Sequence, residues 1–324
     1  MIGFEKEQDE FDMFAKKFEE GVRQRVGKNV EVKVSKVGKN NGILLTGLNL
    51  LKKGDNVAPT FYLEDYYKEY SEGKPLAMCV DEMIDIYNRV GVPQNVSFDD
   101  FEKYENVKNR LAIRLINAKN NKEMLEDMPH KSFADLAVVC QILYEMPRGS
   151  MGAVLIHNNH IVMWGKSAEE VIFDACQNAV TANSMRICGI KDMLMNLMNS
   201  KGDIPKEDME EELSQIDRYS DMVYVVSNKY QNYGAAVIAY PGVAEALSNV
   251  YEGDYYIIPC SVHEVIIMPA DFDDVDSLNE TINFVNNNHV EKEEVLSDHL
   301  YRYDSNLKSI IPIYSENTKA CANG

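Results

Sequence analysis

A chain of 324 residues can form two ordinary domains or one large one, and its core needs neither disulfides nor a structural metal. The hydrophobic fraction of 45% and the charged fraction of 26% are typical of a soluble globular protein rather than a disordered or membrane-spanning one. The formal charge of −19 disfavours direct binding to nucleic acid or to an anionic membrane, because both depend on Lys and Arg.

The first residues and the cysteines predict a cytoplasmic location. The N-terminal stretch MIGFEKEQDEFD is acidic where a secretory signal would be basic and then apolar. No apolar run approaches the length that crosses a bilayer. The six cysteines are scattered and form no CxxC pair. We therefore expect reduced thiols, no cofactor and no membrane partner.

The predicted elements begin with an amphipathic helix and a β-hairpin. Apolar residues recur at helical spacing from Phe11 to Val22. The next stretch, VEVKVSKVGKNNGILLTGL, alternates before Asn40-Asn41-Gly42, whose residues accept positive φ in a hairpin turn. After it, PLAMCVDEMIDIYNRV predicts a helix, and the segment from Ser97 to Asn117 reads as mixed helix and strand.

The stretch GAVLIHNNHIVMWG predicts a second hairpin. Its two apolar arms flank Asn158-Asn159, a pair able to form a two-residue type I′ turn. His157 and His160 would then lie opposite each other on one face, as candidate metal ligands. A closed site needs about four ligands, and the neighbouring sequence offers no carboxylate or thiol. We therefore favour a polar hairpin tip and predict no metal site.

Further along, Ser167 and Glu170 have the spacing of a capping box that begins a helix. A Met- and Leu-rich stretch predicts another helix, and the acidic residues that follow predict an exposed segment. The predicted organisation is an N-terminal α+β region, an acidic connection and a C-terminal α+β region with two hairpins and two helices. These are residues 1–202, 203–221 and 222–314, and the two regions could equally pack as one domain.

The C-terminal part repeats a hairpin-and-helix theme. The stretches DMVYVVSN, GAAVIAY, PGVAEALSNVY, DYYIIP, HEVIIMP and DVDSLNETINFVNNNHV predict strand, strand, helix, strand, strand and helix. Adjacent strands joined by short loops pair antiparallel, and helices cover one face. The predicted class is α+β, with antiparallel sheets built from hairpin-plus-helix modules.

The stretch YYIIPCSVHEVIIMP contains the richest chemistry. Cys260 and Ser261 lie in the predicted connection between two apolar strands, and His263 and Glu264 are expected to start the second strand. An imidazolium beside a thiolate would make a nucleophile. Catalytic Cys and His residues are usually distant in sequence, so these four are catalytic candidates only under an enzyme hypothesis. His263 or Glu264 is expected to point inward at the hairpin end and to need a partner. Both are therefore binding candidates.

The stretch LSDHLYRYD supplies three more binding candidates: Asp298, His299 and Arg302. In a strand, the neighbours Asp298 and His299 would point to opposite faces and would not form a dyad. Arg302, between two tyrosines, could hold an anionic group. P-loop, dinucleotide, HExxH, GxSxG and EF-hand motifs are absent from the sequence.

Five stretches occur in an order that resembles a bacterial family of unknown function, domain-of-unknown-function family 5688. They are HKSFADLAVVCQILY, AVLIHNNHIVMWGKSAEEVIFDACQNA, YGAAVIAYPGV, YYIIPCSVHEVIIMPADF and VLSDHLYRYD. The resemblance extends from the N-terminal helix to about Asp304 and implies no activity. The family pattern has serine at position 260, which implies that the Cys260 thiol is not part of a shared mechanism.

Three functional hypotheses remain open at this point. The first is a non-enzymatic binding or regulatory module with an unknown protein or small-molecule partner. The second is a small-molecule or hydrolytic enzyme built on the hairpin loop at Cys260. The third is an acidic nucleic-acid mimic that blocks a partner protein. We favour the first, because every chemical constellation in the sequence has a stronger structural interpretation.

Overall fold

The structure, a computed structural model, describes residues 2–54, 58–90, 101–145, 151–181, 183–192, 222–271 and 274–315. Its α-helices are α1 Ile2–Arg25, α2 Leu63–Ser71, α3 Leu76–Val90, α4 Tyr104–Val107, α5 Lys122–Glu126, α6 Asn158–Trp164, α7 Ala168–Thr181, α8 Val243–Val250 and α9 Val275–Asn288. Short 3-10 helices cover Asn40–Gly42, Lys108–Arg110 and Gly234–Ala239. The strands are β1 Val30–Gly38, β2 Leu44–Lys52, β3 Thr60–Tyr62, β4 Leu111–Asn117, β5 His130–Phe133, β6 Leu136–Glu145, β7 Met151–Leu155, β8 Met185–Gly189, β9 Tyr224–Asn228, β10 Tyr255–Pro259, β11 Val265–Pro269, β12 Leu300–Asp304 and β13 Ser309–Ile313.

The strands form three sheets. One has the order β1-β2-β3, a second has the order β13-β12-β10-β11-β9-β8, and a third has the order β4-β6-β5 with β7 also paired to β6. The neighbours run antiparallel in the described registers of β1 with β2, β10 with β11 and β4 with β6. The predicted α+β class with antiparallel sheets is confirmed.

The first compact unit comprises Met1–Asn106 and Tyr144–Gly152. Helix α1 turns its aromatic stripe inward, where Phe14 and Phe18 are buried, so the predicted amphipathic helix is confirmed. Strands β1 and β2 pair over their full lengths, and Asn41 at their turn has a φ of 60°. The predicted first hairpin is therefore confirmed, including the positive φ that its turn requires.

The second compact unit comprises Val107–Leu143 and Ala153–Gly324. Within it, β10 and β11 form the predicted hairpin that carries the polar loop. The capping box of α7 is also confirmed. The Ser167 N–H donates to Glu170 Oε2 at 2.9 Å, and the Glu170 N–H donates to Ser167 Oγ at 3.2 Å.

The predicted hairpin around Asn158-Asn159 is wrong, because its second arm is helix α6. The His157 N–H donates to His160 Nδ1 at 3.0 Å, which closes the first turn of the helix. Trp164 is buried at its end, and Gly165 stops the helix in the left-handed region at φ 62°. The apolar residues from 158 to 164 fit both the helical and the strand period, and the hydrogen bond at His157 favours the helix.

The predicted strand in GAAVIAY is also wrong. Residues Gly234–Ala239 wind into a 3-10 helix, and five of the six are buried. Its entry at Tyr233 is left-handed, with φ 50° and ψ 34°. An apolar run that is buried on every side has no polar face to reveal its period, so the sequence could not separate the two structures.

Two expectations concern the chain as a whole. The acidic connection 203–221 lies outside the described residues, as do the Ser97 cap and much of the Met-rich helix. Strands β8 and β9, on either side of that connection, pair in one sheet, and the two-region division stays a prediction. In the described part of the chain, no helix combines the length and apolarity needed to cross a bilayer.

Candidate functional site

The polar loop at residues 260–264 connects β10 to β11 and is held by its own hydrogen bonds. The Ser261 N–H donates to the Glu264 carbonyl at 3.3 Å, and the His263 N–H donates to Ser261 Oγ at 3.0 Å. Strand β11 begins only at Val265. The expectation that His263 and Glu264 start the strand is therefore wrong, because the loop's internal bonds end the ladder before them.

His263 has partners on both ring nitrogens. Its Nδ1 accepts a hydrogen bond from the Tyr233 N–H at 3.1 Å, and its Nε2 lies 3.2 Å from Glu294 Oε1. An accepting Nδ1 leaves the neutral ring's proton on Nε2, where it donates to the carboxylate. The imidazole therefore connects the loop at residues 260–264 to Tyr233 and to Glu294, and it holds the backbone at Tyr233 in place.

The Cys260 thiol is shielded in the same loop. Burial, with the nearby charge of Glu264 added, raises its pKa from an ordinary value of 9.0 to about 12. The thiol lies 3.9 Å from the Ile258 carbonyl, its hydrogen-bond acceptor. A cysteine nucleophile needs a thiolate, so this environment opposes the chemistry that the sequence stretch suggested.

We expect the Cys260 thiol of the native protein to react slowly with iodoacetamide. The rise of its pKa from 9.0 to about 12 lowers the thiolate population by about 1,000-fold at neutral pH. Mass spectrometry of the peptide containing Cys260 measures the rate, and the urea-unfolded chain gives the reference rate. Alkylation as fast in the native protein as in urea would contradict the expectation.

Tyr233 forms a platform for Arg114. The guanidinium carbon of Arg114, on β4, lies 3.5 Å from the centroid of the Tyr233 ring. The Arg114 Nε–H donates to the Oε1 of Gln141, a buried residue of β6. Tyr233 also contacts the His263 ring, at 5.3 Å between centroids. The His263 loop and the sheet of β4 therefore meet at one tyrosine.

The turn that presents Tyr233 is strained and heavily bonded. Gln231 and Tyr233 both have positive φ, at 53° and 50°, a region that residues other than glycine rarely adopt. The buried Asn228 side chain donates to the Asn232 carbonyl at 2.8 Å and accepts from the Tyr230 N–H at 3.0 Å. Strain of this kind is often associated with a functional position.

A second polar cluster surrounds His299, just before β12. His299 Nδ1 lies 3.0 Å from Asp298 Oδ1, and its Nε2 lies 3.0 Å from Asp135 Oδ2. The Tyr301 hydroxyl donates to the other oxygen of Asp135 at 2.7 Å. Asp298 and His299 therefore do form a contact pair, contrary to the prediction that they would point to opposite faces of a strand, because both residues precede β12.

The two carboxylates keep His299 protonated. Burial lowers its pKa, but the hydrogen bonds and charges of Asp135 and Asp298 outweigh that effect and raise it to about 9. The pKa of Asp298 falls because of its bond to His299. Burial raises the pKa of Asp135, but its hydrogen bonds to His299 and Tyr301 outweigh burial and lower the pKa. A histidine that is cationic at neutral pH is not a general base.

Asparagine side chains hold the backbone on which His299 stands. Four of them bond to residues 296–300: Asn117 to the Leu296 carbonyl (3.2 Å), Asn286 to the Ser297 carbonyl (2.9 Å), Asn283 to the Asp298 carbonyl (2.9 Å) and Asn279 to the Leu300 N–H (2.8 Å). Three of these lie on α9 at positions separated by four and three residues, which is one helix face. The asparagine spacing in NETINFVNNN is the sequence signal for this face, and none of these residues was among the predicted candidates.

Arg302 already has an anionic partner. Its Nε donates to Asp254 Oδ2 at 2.9 Å, and Asp254 also accepts from the Ser305 hydroxyl at 2.6 Å. The Ser305 bonds, with the Arg302 guanidinium, lower the pKa of Asp254 to about 2. The suggestion that Arg302 holds an external anion therefore has no support, because its charge is already neutralised.

The candidate metal ligands His157 and His160 occupy the start of α6 and not opposite strands. His157 Nδ1 lies 2.9 Å from Asp127 Oδ2, while His160 Nδ1 is occupied by the His157 N–H. Burial lowers the pKa of His160. Among the residues that the structure describes, no group of three or more His, Cys, Asp or Glu side chains is arranged to hold a metal ion.

Comparisons with known proteins give a family without an activity. A family model described as "Family of unknown function (DUF5688)" matches residues 11–305. No curated protein and no solved structure matches the chain. The matched range includes Arg114, Tyr233, His263 and His299, so both polar clusters lie within it.

Proposed function

The chain belongs to the family of unknown function DUF5688, and we propose from its own residues that it is a non-enzymatic binding or regulatory protein. One observation carries the proposal. Arg114 and Tyr233 are stacked, and both are only half-buried. The strained turn at Tyr233 and its bond to His263 are the kind of rigid support that a binding site needs.

The enzyme hypothesis is supported less well by the same geometry. Cys260 carries a protonated thiol at neutral pH, and both nitrogens of His263 are engaged. Covalent catalysis needs a nucleophile that is activated, commonly by an adjacent base or by a lowered pKa, and this loop supplies neither to Cys260. The loop at residues 260–264 fits a support for Tyr233 better than a catalytic centre.

The proposal includes a small-molecule partner and a cytoplasmic location. The five cysteines in the described residues are all unpaired: Cys79, Cys140, Cys176, Cys188 and Cys260. Free thiols are the usual state in a reducing compartment. A site with one aromatic face and one cation also suits a small ligand better than an extended polymer.

A panel of anionic, cationic and neutral metabolites tests the proposal by thermal shift. We expect at least one compound to raise the melting temperature of the wild type without being converted, as followed by mass spectrometry. Tyr233→Asn should abolish the rise, because asparagine tolerates the left-handed backbone but lacks the ring. Tyr230→Asn, in the same turn, is the matched control and should retain it. Turnover of a compound, or no stabilisation by any charge class, would overturn the proposal.

A further inference from the structure

We propose that Arg114 is the anchor of an oxyanion site, and that it binds a carboxylate or phosphate group of a small molecule at the Tyr233 platform. This inference rests on the proposed binding function and names its ligand class. It follows from the way the guanidinium is held and from the charges around it.

The stacked geometry leaves the hydrogen-bonding edge of Arg114 directed away from the ring. A guanidinium donates in its own plane, so stacking on Tyr233 at 3.5 Å covers one of its faces. The Tyr233 side chain also accepts a hydrogen bond from the guanidinium, which has five N–H groups. The bond to Gln141 uses Nε. The two Nη groups form the fork that matches the paired oxygens of a carboxylate or phosphate.

The charge of Arg114 is not neutralised within the described part of the chain. Its partners there are the Gln141 amide oxygen and the Tyr233 side chain, through both the ring face and a hydrogen bond, and no described carboxylate forms an ion pair with it. Burial lowers the pKa of Arg114, whereas the bond to Asp254 raises the pKa of Arg302. A partly buried cation without a counter-charge among the described residues is unusual in so acidic a chain, and an anionic ligand would supply that charge.

The net charge limits the size of the ligand. A chain with a formal charge of −19 repels polyanions, so extended nucleic acid and anionic lipid surfaces are disfavoured. A small ligand with one or two charges is repelled only weakly, and it can form a bidentate, charge-assisted pair with Arg114. The Tyr233 ring adds an apolar surface beside the anionic group, which suits an organic acid or a phosphorylated small molecule.

The test is a titration followed by the arginine Nε–H signals in NMR, with acetate and inorganic phosphate as separate probes. Sodium chloride keeps the ionic strength constant, because phosphate also stabilises proteins without a specific site. We expect a saturable shift of the Arg114 signal with at least one probe. The probe that saturates the shift at the lower concentration, acetate or phosphate, identifies the preferred group. Arg186→Gln removes the same charge from an exposed position of β8 and should leave this shift unchanged.

Two substitutions then separate charge from geometry, with saturation followed through the backbone amide of Gln141. Arg114→Gln should abolish saturation, and Arg114→Lys should weaken it by about tenfold or more, because lysine keeps the charge but lacks the fork. Circular dichroism verifies that both variants fold. No saturable shift in the wild type, or equal affinity in Arg114→Gln, would overturn the oxyanion site. The broader binding proposal would then still stand if a neutral or cationic compound binds in a Tyr233-dependent manner.

Discussion

Replacing Gly234 by alanine is expected to lower the free energy of unfolding by about 3 kcal/mol or more. An added Cβ would lie 2.0 Å from Ser227 Oγ, 2.5 Å from the His263 carbonyl oxygen and 2.6 Å from the Asn228 nitrogen. Real Cβ contacts under 3.0 Å essentially do not occur, so one of these groups has to move.

None of the three neighbours of Gly234 can move without breaking other bonds. The Ser227 hydroxyl donates to the His263 carbonyl at 2.8 Å, and both Ser227 and Asn228 are buried in β9. A shift of the His263 carbonyl would disturb the loop at residues 260–264, and through it Tyr233. The alanine variant should therefore lose ligand binding at Tyr233 together with stability.

Urea unfolding followed by far-UV circular dichroism measures the effect. Gly189→Ala is the matched control, since Gly189 lies at the end of β8 in the same sheet and its added Cβ meets only the Asp192 side chain, at 3.4 Å. The control should change the free energy of unfolding by about 0.5 kcal/mol or less. Equal stabilities of the two variants would show that the Gly234 contact is not as close as described.

The sequence predicted those elements in which the hydrophobic period agrees with the turn or capping residues at the ends. Alternating valines before an Asn-Gly turn predicted the first hairpin, and a capping box predicted the start of α7. The two wrong elements, residues 158–164 and 234–239, are short apolar runs in which period does not discriminate. Their structure depends on contacts made elsewhere, at the His157 cap and at the close approach of Gly234 to Ser227.

The sequence could nominate His263 and His299 but not their partners. Asp135 and His299 are 164 positions apart, and Arg114 and Tyr233 are 119 positions apart. No local pattern marks Arg114, because it stands in an ordinary strand and only the tertiary fold shows that no carboxylate among the described residues pairs with it. The role of a charged residue depends on the charged and polar groups that lie near it in the fold, and a single sequence does not show them.

The stability of the native protein should depend on pH through His299. Its pKa is raised from 6.5 to about 9, so the folded state binds this proton more tightly than the unfolded state. The contribution is fully present below about pH 6.5 and is lost as the pH rises through about 9. Each tenfold difference in proton affinity corresponds to about 1.4 kcal/mol, so the contribution is about 3 kcal/mol.

The aspartates act in the opposite sense at low pH. The pKa values of Asp135 and Asp298 are lowered in the folded state, so their contribution is present above their ordinary value of 3.8 and is lost as the pH falls through the lowered values. The Asp135–His299–Asp298 cluster is therefore expected to be strongest between about pH 5 and pH 6.5, where all three groups are charged.

Comparison of the wild type with His299→Gln isolates this contribution, because other titrating groups cancel in the difference. We expect the difference in free energy of unfolding to shrink by about 3 kcal/mol between about pH 6 and pH 10. His289→Gln, at an exposed histidine, is the matched control and should follow the wild type across the range. A difference for His299→Gln that stays constant with pH would mean that the folded and unfolded states bind this proton equally tightly, so that the two carboxylates do not raise the pKa of His299.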